Sequence, residues 1–228
     1  AVGLTPYLIS VEVDLFNGFH TFSIVGLPDK AVEESKDRIS SAIKSVGFKS
    51  PKNYGKQKVV VALAPADLKK EGPIFDLAIA LSYLLAKEDM RFNPEKKLFL
   101  GELSLGGTLR PIKGALLLVK KAKESGFEEV YLPRENAHEA SFVKGIRVYG
   151  GDTLRDIVSH INTKTLDANV RIKTGIDGKK IPVEKERDFS DIKIVETKSE
   201  IDFRDIRGQE NAKRGLEIAA SGGHNVAF

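Results

Sequence analysis

At 228 residues the chain has room for one domain of ordinary size plus a further fragment, or for two small domains. It has no cysteine, which excludes disulfides, thiolate metal sites and cysteine nucleophiles, and suits a reducing, cytoplasmic setting. Its 36 basic and 32 acidic residues leave a formal charge of +4, which permits a polyanionic partner without arguing for one. No apolar run approaches the ~20 residues of a membrane span, and Ala1-Val2-Gly3-Leu4 has no basic region of the signal-peptide kind, so no membrane association is expected.

Residues 7–15 (YLISVEVDL) and 19–25 (FHTFSIV) alternate and are rich in β-branched and aromatic side chains, with Asn17-Gly18 between them. That pattern predicts a β-hairpin. A helix is expected after Gly26-Leu27-Pro28, with Asp29 as its N-cap and Glu33 and Glu34 at the positive end of its dipole. Val32, Ser35, Ile39, Ile43 and Val46 fall on one face of it, and Gly47 suits the position that ends it. The stretch that follows carries Lys49, Lys52, Tyr54, Lys56 and Lys58. Four lysines and one stackable ring form a candidate contact for nucleic acid; the plainer reading is a solvated loop.

Lys58 to Ala64 (KVVVALA) reads as a strand, and IFDLAIALSYLLA, apolar nearly all round, as a buried helix. Leu98 to Leu105 and Thr108 to Arg110 predict a second hairpin about Gly106-Gly107. A helix from about Lys113 to Ser125 closes at Gly126, and Glu129 to Leu132 is a short strand. Ile146–Tyr149 and Thr153–Ile161 supply a last strand and helix. Strands and helices intermix without regular βαβ alternation, so residues 1–161 read as one α+β domain. Residues 162–200 are charged and aperiodic, a linker or insertion in which 169–172 or 191–195 could form a short strand. Residues 201–228 hold a Gly208-Gln209 turn, a helix with Ala212, Leu216 and Ala219 on one side, then Gly222-Gly223-His224-Asn225 before an apolar strand.

The phosphate-binding pattern Gly-x-x-x-x-Gly-Lys-Ser/Thr does not occur: Gly55-Lys56 is followed by Gln57, and Gly178-Lys179 by Lys180. Without that loop there is no nest of backbone N–H groups and no lysine for the β- and γ-phosphates, so no ATP hydrolysis is expected of this stretch of chain. His20, His138, His160 and His224 share no ligand spacing, and no metal site is expected. Ser104 lies near Lys113 in sequence, but a serine beside a glycine turn reads as structural.

Two segments resemble the peptidase domain of Lon-type proteases. Lys70-Glu71-Gly72-Pro73-Ile74-Phe75-Asp76 is similar to its Lys-Asp-Gly-Pro-Ser-Ala-Gly. Gly101-Glu102-Leu103-Ser104-Leu105-Gly106-Gly107, then Pro111-Ile112-Lys113-Gly114-Ala115-Leu116, is similar to its Gly-Glu-Ile-Thr-Leu-x-Gly and Pro-Ile-Gly-Gly-Leu-Lys. The resemblance implies a Lon-like fold and puts Ile74 where the catalytic serine would stand and Leu116 where its lysine would. Neither side chain can attack a carbonyl or take a proton, so the dyad is degenerate and no catalytic residue is assigned.

The order of the pieces, with SIVGLPDKAVEESKDRISSAI, VVVALAPADLKKEGPIFDLAIAL and GQENAKRGLEIAASGGHN, resembles the ComM/YifB family of magnesium-chelatase-like AAA+ proteins. The resemblance implies an inactive Lon-like domain (1–161), a linker (162–200) and the opening of an AAA+ module (201–228). It further implies a full-length ATPase using ATP and Mg2+, self-assembled into a hexameric ring, that drives DNA branch migration in natural transformation. This stretch would bind no cofactor itself and would assist assembly or guide single-stranded or branched DNA. Gly208 and Gln209 match the segment that passes near the adenine. Two other readings stand beside it: an accessory of a magnesium chelatase, and a relict protease cleft that holds a partner's peptide.

Overall fold

Alternation decides the first sheet. In β1 (Ser10–Asn17) the side chains of Val11, Val13 and Leu15 turn to the core while Ser10, Glu12, Asp14 and Phe16 are exposed. The computed structural model describes residues 6–53, 56–162, 180–191 and 205–223, divided between two units, Ala1–Phe189 and Ser190–Phe228. In the first unit β2 (Thr21–Val25) does not pair with β1, so the predicted hairpin is not formed. Instead β3 (Gln57–Ala64) lies between them, antiparallel to β1 and parallel to β2. The reason is in β3 itself: Val59, Val61 and Leu63 are at most 1 % exposed, and a strand this apolar gains most from a central place. Residues 18–20 then bridge two strand spacings, roughly 9–10 Å, and the Gly18 N–H donates to the Lys56 carbonyl at 2.9 Å.

Helix α1 (Lys30–Val46) forms as its sequence predicts. The Asp29 carboxylate accepts from the Val32 N–H at 2.8 Å, and Gly47 ends the helix at φ 98°. Val32, Ser35, Ile39, Ile43 and Val46 are all buried, and full burial of an isoleucine is worth about 1.5–3 kcal/mol. The second oxygen of Asp29 accepts from the Gly72 N–H at 3.0 Å, fastening the start of α1 to the turn that precedes the buried helix. That helix, α2 (Asp76–Ala86), follows a short 3-10 turn, Pro73–Phe75, and buries Leu77, Ile79, Ala80, Leu81, Tyr83 and Leu84.

The second sheet is parallel throughout, in the order β4 (Lys97–Phe99), β7 (Glu129–Pro133), β8 (Arg147–Gly151). The predicted hairpin over 98–110 is therefore shorter: only β5 (Glu102–Leu103) and β6 (Leu109–Arg110) pair, while Leu98 and Phe99 join β7. Gly101 separates the two, in a backbone position where a Cβ would meet the Leu109 side chain at 2.9 Å. Helix α3 (Ala115–Glu124) crosses over to β7, and α4 (Arg134–Ala140) to β8; the sequence pattern does not announce α4. Register aligns Phe99, Tyr131 and Tyr149 in one row, and their rings stack at 5.2 and 4.9 Å. A second row places Glu129 between Lys97 (3.4 Å) and Arg147 (2.8 Å). Helix α5 (Leu154–Ile161) closes the order, started by a capping box between Thr153 and Asp156.

Part of the stretch that reads as a linker packs on the first unit. The Ile181 side chain is buried and its N–H donates to His160 Nδ1 at 2.8 Å. The Glu184 N–H donates to the Val148 carbonyl (2.8 Å), the Arg187 N–H to that of Ser141 (3.0 Å), and Phe189 stacks on Phe142 at 4.9 Å. The candidate short strands at 169–172 and 191–195 lie outside the described residues, apart from Asp191. In the second unit, helix α6 (Glu210–Gly222) has Ala219 as its buried residue, with Ala212 and Leu216 half-buried on the same side. No helix among the described residues is long and apolar enough to cross a membrane.

Candidate functional site

The chain entering β1, the turn before α2, strand β4 and the loop leading into α3 converge on a cleft of about 670 Å3. Ile74 lies in it, packed with Ile112 and Leu118 against the core beneath the second sheet. The backbone around it is fixed on both sides: the Gly101 N–H donates to the Ile74 carbonyl at 3.0 Å, and the Leu77 N–H to that of Gly101 at 3.1 Å. Gly72 supplies the left-handed turn (φ 80°) that leads into Pro73. Leu116 is placed elsewhere. Its N–H donates to Glu139 Oε1 at 3.1 Å, and it is the following residues, Leu117 and Leu118, that line the cleft. The described lining residues include no serine, threonine, cysteine or histidine. Such a surface offers apolar contact, with lysine and glutamate side chains beside it.

Charge around the cleft is unevenly settled. Lys70 is fully buried, with its ammonium on the Pro65 carbonyl and its backbone held to Leu27 and Asp29. Lys69 pairs with Glu71 at 3.1 Å and Glu102 with Arg110 at 3.0 Å, whereas Lys113 and Lys121 have no acidic partner among the described residues. At the first residue of α2, Asp76 is wholly buried and accepts from Arg38 Nε (2.7 Å), Arg38 Nη2 (3.1 Å) and the Leu103 N–H (3.1 Å). Burial pushes its carboxyl up to about 6, against the opposing pull of Arg38 and the Leu103 N–H, so it is ionised at neutral pH. Ser104 sits in the β5–β6 turn, where its Oγ accepts from the Thr108 N–H at 3.0 Å.

The five residues of the basic stretch are not equivalent. The Lys49 carbonyl accepts from the Tyr83 hydroxyl at 3.2 Å, and the Lys52 ammonium is committed to Asp37. Tyr54 lies outside the described residues. Lys56 and Lys58 are exposed at the end of the first sheet, where Lys58 is in register with Phe16 and Thr21. Two further residues belong to this tip that the sequence reading misses: Phe16 is 47 % exposed and Phe19 is 96 % exposed. Their signal is Phe16-Asn17-Gly18-Phe19-His20, where aromatic residues flank a turn instead of filling strand interiors.

Gly208 and Gln209 both take left-handed backbone conformations (φ 71° and 59°) at the start of α6, and no side chain caps that helix. Residues 224–228, with the predicted strand, lie outside the described residues. Among the described residues no group of His, Asp or Glu side chains could hold a metal ion.

The family model described as subunit ChlI of Mg-chelatase matches residues 11–136, and that described as magnesium chelatase, subunit ChlI, matches residues 202–228. Competence protein ComM of Haemophilus influenzae is 36 % identical over 229 residues, covering 100 % of this chain and 41 % of that protein. The uncharacterized protein YifB of Escherichia coli is 34 % identical over 227 residues, covering 99 % of this chain and 40 % of its own length. The DNA repair protein RadA of Streptococcus pneumoniae is 28 % identical over 94 residues, 41 % of this chain and 22 % of that protein. The chain thus spans about two fifths of the length of the ComM and YifB relatives.

Proposed function

Because the chain belongs to the ComM/YifB family of magnesium-chelatase-like AAA+ proteins, we propose that its first unit is the non-catalytic, DNA-guiding domain of a ring-forming ATPase that remodels DNA. In this reading the full-length protein is a hexamer that uses ATP and Mg2+ to drive branch migration during natural transformation, and residues 201–228 open its motor module. The Lon-like ancestry of the first unit belongs to the same proposal.

The observation that carries the reading is the cleft at Ile74, whose described lining is largely apolar and holds no serine, threonine or cysteine. A peptidase of the serine–lysine kind would need an oxygen nucleophile beside a base. In this reading Ile74 stands where that nucleophile would be, and its side chain is half-buried against the core. The DNA-guiding part is supported by the tip of the first sheet, where Lys56 and Lys58 stand beside Phe16 and the almost fully exposed Phe19. Lysines attract phosphate and bare rings stack on bases, the combination that single-stranded nucleic acid needs. Similarity to a DNA repair protein over part of the chain points the same way.

The test is DNA-stimulated ATP turnover by the full-length protein, measured with and without residues 1–189. DNA stimulation that depends on those residues is the expected result. Turnover indifferent to DNA, or stimulation undiminished by the deletion, contradicts the reading. Covalent labelling of the protein by a serine-directed phosphonate at the cleft would overturn its non-catalytic part.

A further inference from the structure

Among the described residues β1 is an outer strand of its sheet, and β4 is an outer strand of the other. Both contribute to one cleft: Val11, with Ile9 just before the strand, lines it from the first, Leu98 and Phe99 from the second. An outer strand has peptide N–H and C=O groups with no ladder partner on one side, and such edges pair readily with an added extended chain. Beyond β4 the edge is closed by the hydrogen bond from Gly101 to Ile74, which sets one end of the open stretch.

The side chains fit the same occupant. Tyr7 and Leu117, 51 % and 41 % exposed, both line the cleft and leave apolar surface uncovered. Both acidic side chains of the lining, Glu71 and Glu102, are paired with cations, while Lys113 and Lys121 are without an acidic partner among the described residues. An apolar floor is a poor bed for a phosphate backbone, whose every unit is charged, whereas two lysines at its side suit a segment that carries acidic residues among apolar ones.

We propose that the cleft binds an extended segment of a partner polypeptide, alternately apolar and acidic, laid along the open edges of β1 and β4. The backbone of the segment pairs with a strand edge, its apolar side chains cover the floor near Ile74, and its carboxylates meet Lys113 and Lys121. This goes beyond the DNA-guiding reading and does not depend on it, since the tip residues take no part.

The test is fluorescence anisotropy on the 228-residue chain with a labelled, end-capped peptide of about ten alternating valine and glutamate residues. Saturable binding is expected, weakened by salt and abolished by N-methylation of alternate peptide nitrogens. In the double variant K113E/K121E, whose fold is checked by circular dichroism, affinity for this peptide falls about tenfold or more and preference passes to the valine–lysine peptide. Equal binding of acidic and basic peptides by the wild type, binding that survives N-methylation, or no binding of either peptide overturns the proposal. So does an oligothymidylate that binds where the peptides do not and is lost in K113E/K121E, which assigns the cleft to nucleic acid.

Discussion

Strand β1 starts in the cleft and ends at the tip, and its two ends are built differently. At the cleft end Val11 shares a concave, apolar setting with Ile74 and Phe75, above a buried ion pair that fixes the first turn of α2. At the tip Phe16 is half exposed and Phe19 nearly bare, beside the exposed Lys56 and Lys58. The same residue classes therefore do different work: Ile74 and Val11 pack against the fold at the cleft end, whereas Phe19 stands clear of it at the tip. Changes to the packed residues beneath the cleft should cost stability, and changes at the tip should cost DNA binding alone.

The largest effect is expected from Asp76→Ala. It leaves Arg38 without its carboxylate at a site where Asp76 is fully buried, and breaking such a pair costs about 3–5 kcal/mol. A urea titration should show the loss, and a change below about 1 kcal/mol would show that the pair does not hold the cleft end together. Next comes the pH dependence of the same group. Its carboxyl titrates at about 6 in the folded chain, above the unfolded value of about 3.9. A raised carboxylate favours folding below the unfolded pKa, and that contribution is lost as pH rises from about 4 to about 6. The stability difference between wild type and Asp76→Asn should therefore shift by on the order of 2–3 kcal/mol across that window, to the disadvantage of wild type at the higher pH. A constant difference would contradict the assignment.

Phe19→Ala should give the opposite pattern. Stability changes by less than about 0.5 kcal/mol, because the ring is 96 % exposed, while affinity of the full-length protein for single-stranded DNA drops by about 1–3 kcal/mol. A fall in stability with binding unchanged would reverse the comparison. The smallest effect sharpens the tip itself. Lys52 is committed to Asp37, so Lys52→Ala should lower DNA affinity less than Lys58→Ala does in the same filter-binding assay.

What can be read from sequence follows the range of the forces involved. Helix α1 is legible to the residue because Asp29, the buried face from Val32 to Val46 and Gly47 all act within one stretch of chain. The first hairpin misleads because Asn17-Gly18 announces a reversal but not the partner, and β3 arrives from thirty-odd residues further on to take the central place. Leu98 and Phe99 suggest a local hairpin for the same reason, when their true partner β7 lies beyond α3. Helix α4 has only seven residues, too few turns for a periodic face to declare itself. At the site, Ile74 and Leu116 stand out by motif, but their separation does not. That Leu116 meets Glu139 while Leu117 and Leu118 face the cleft depends on how α3 packs on α4. Likewise Lys52 and Lys58 look alike in sequence, and only the fold commits one of them to Asp37.

The salt dependence of single-stranded DNA binding by the full-length protein tests the central claim most directly, compared between wild type and a K56A/K58A variant. Two lysines that meet phosphates predict a log–log slope shallower by roughly 1.4 in the variant, about 0.7 for each phosphate no longer neutralised. An unchanged slope, or wild-type binding that salt does not weaken, would contradict the account.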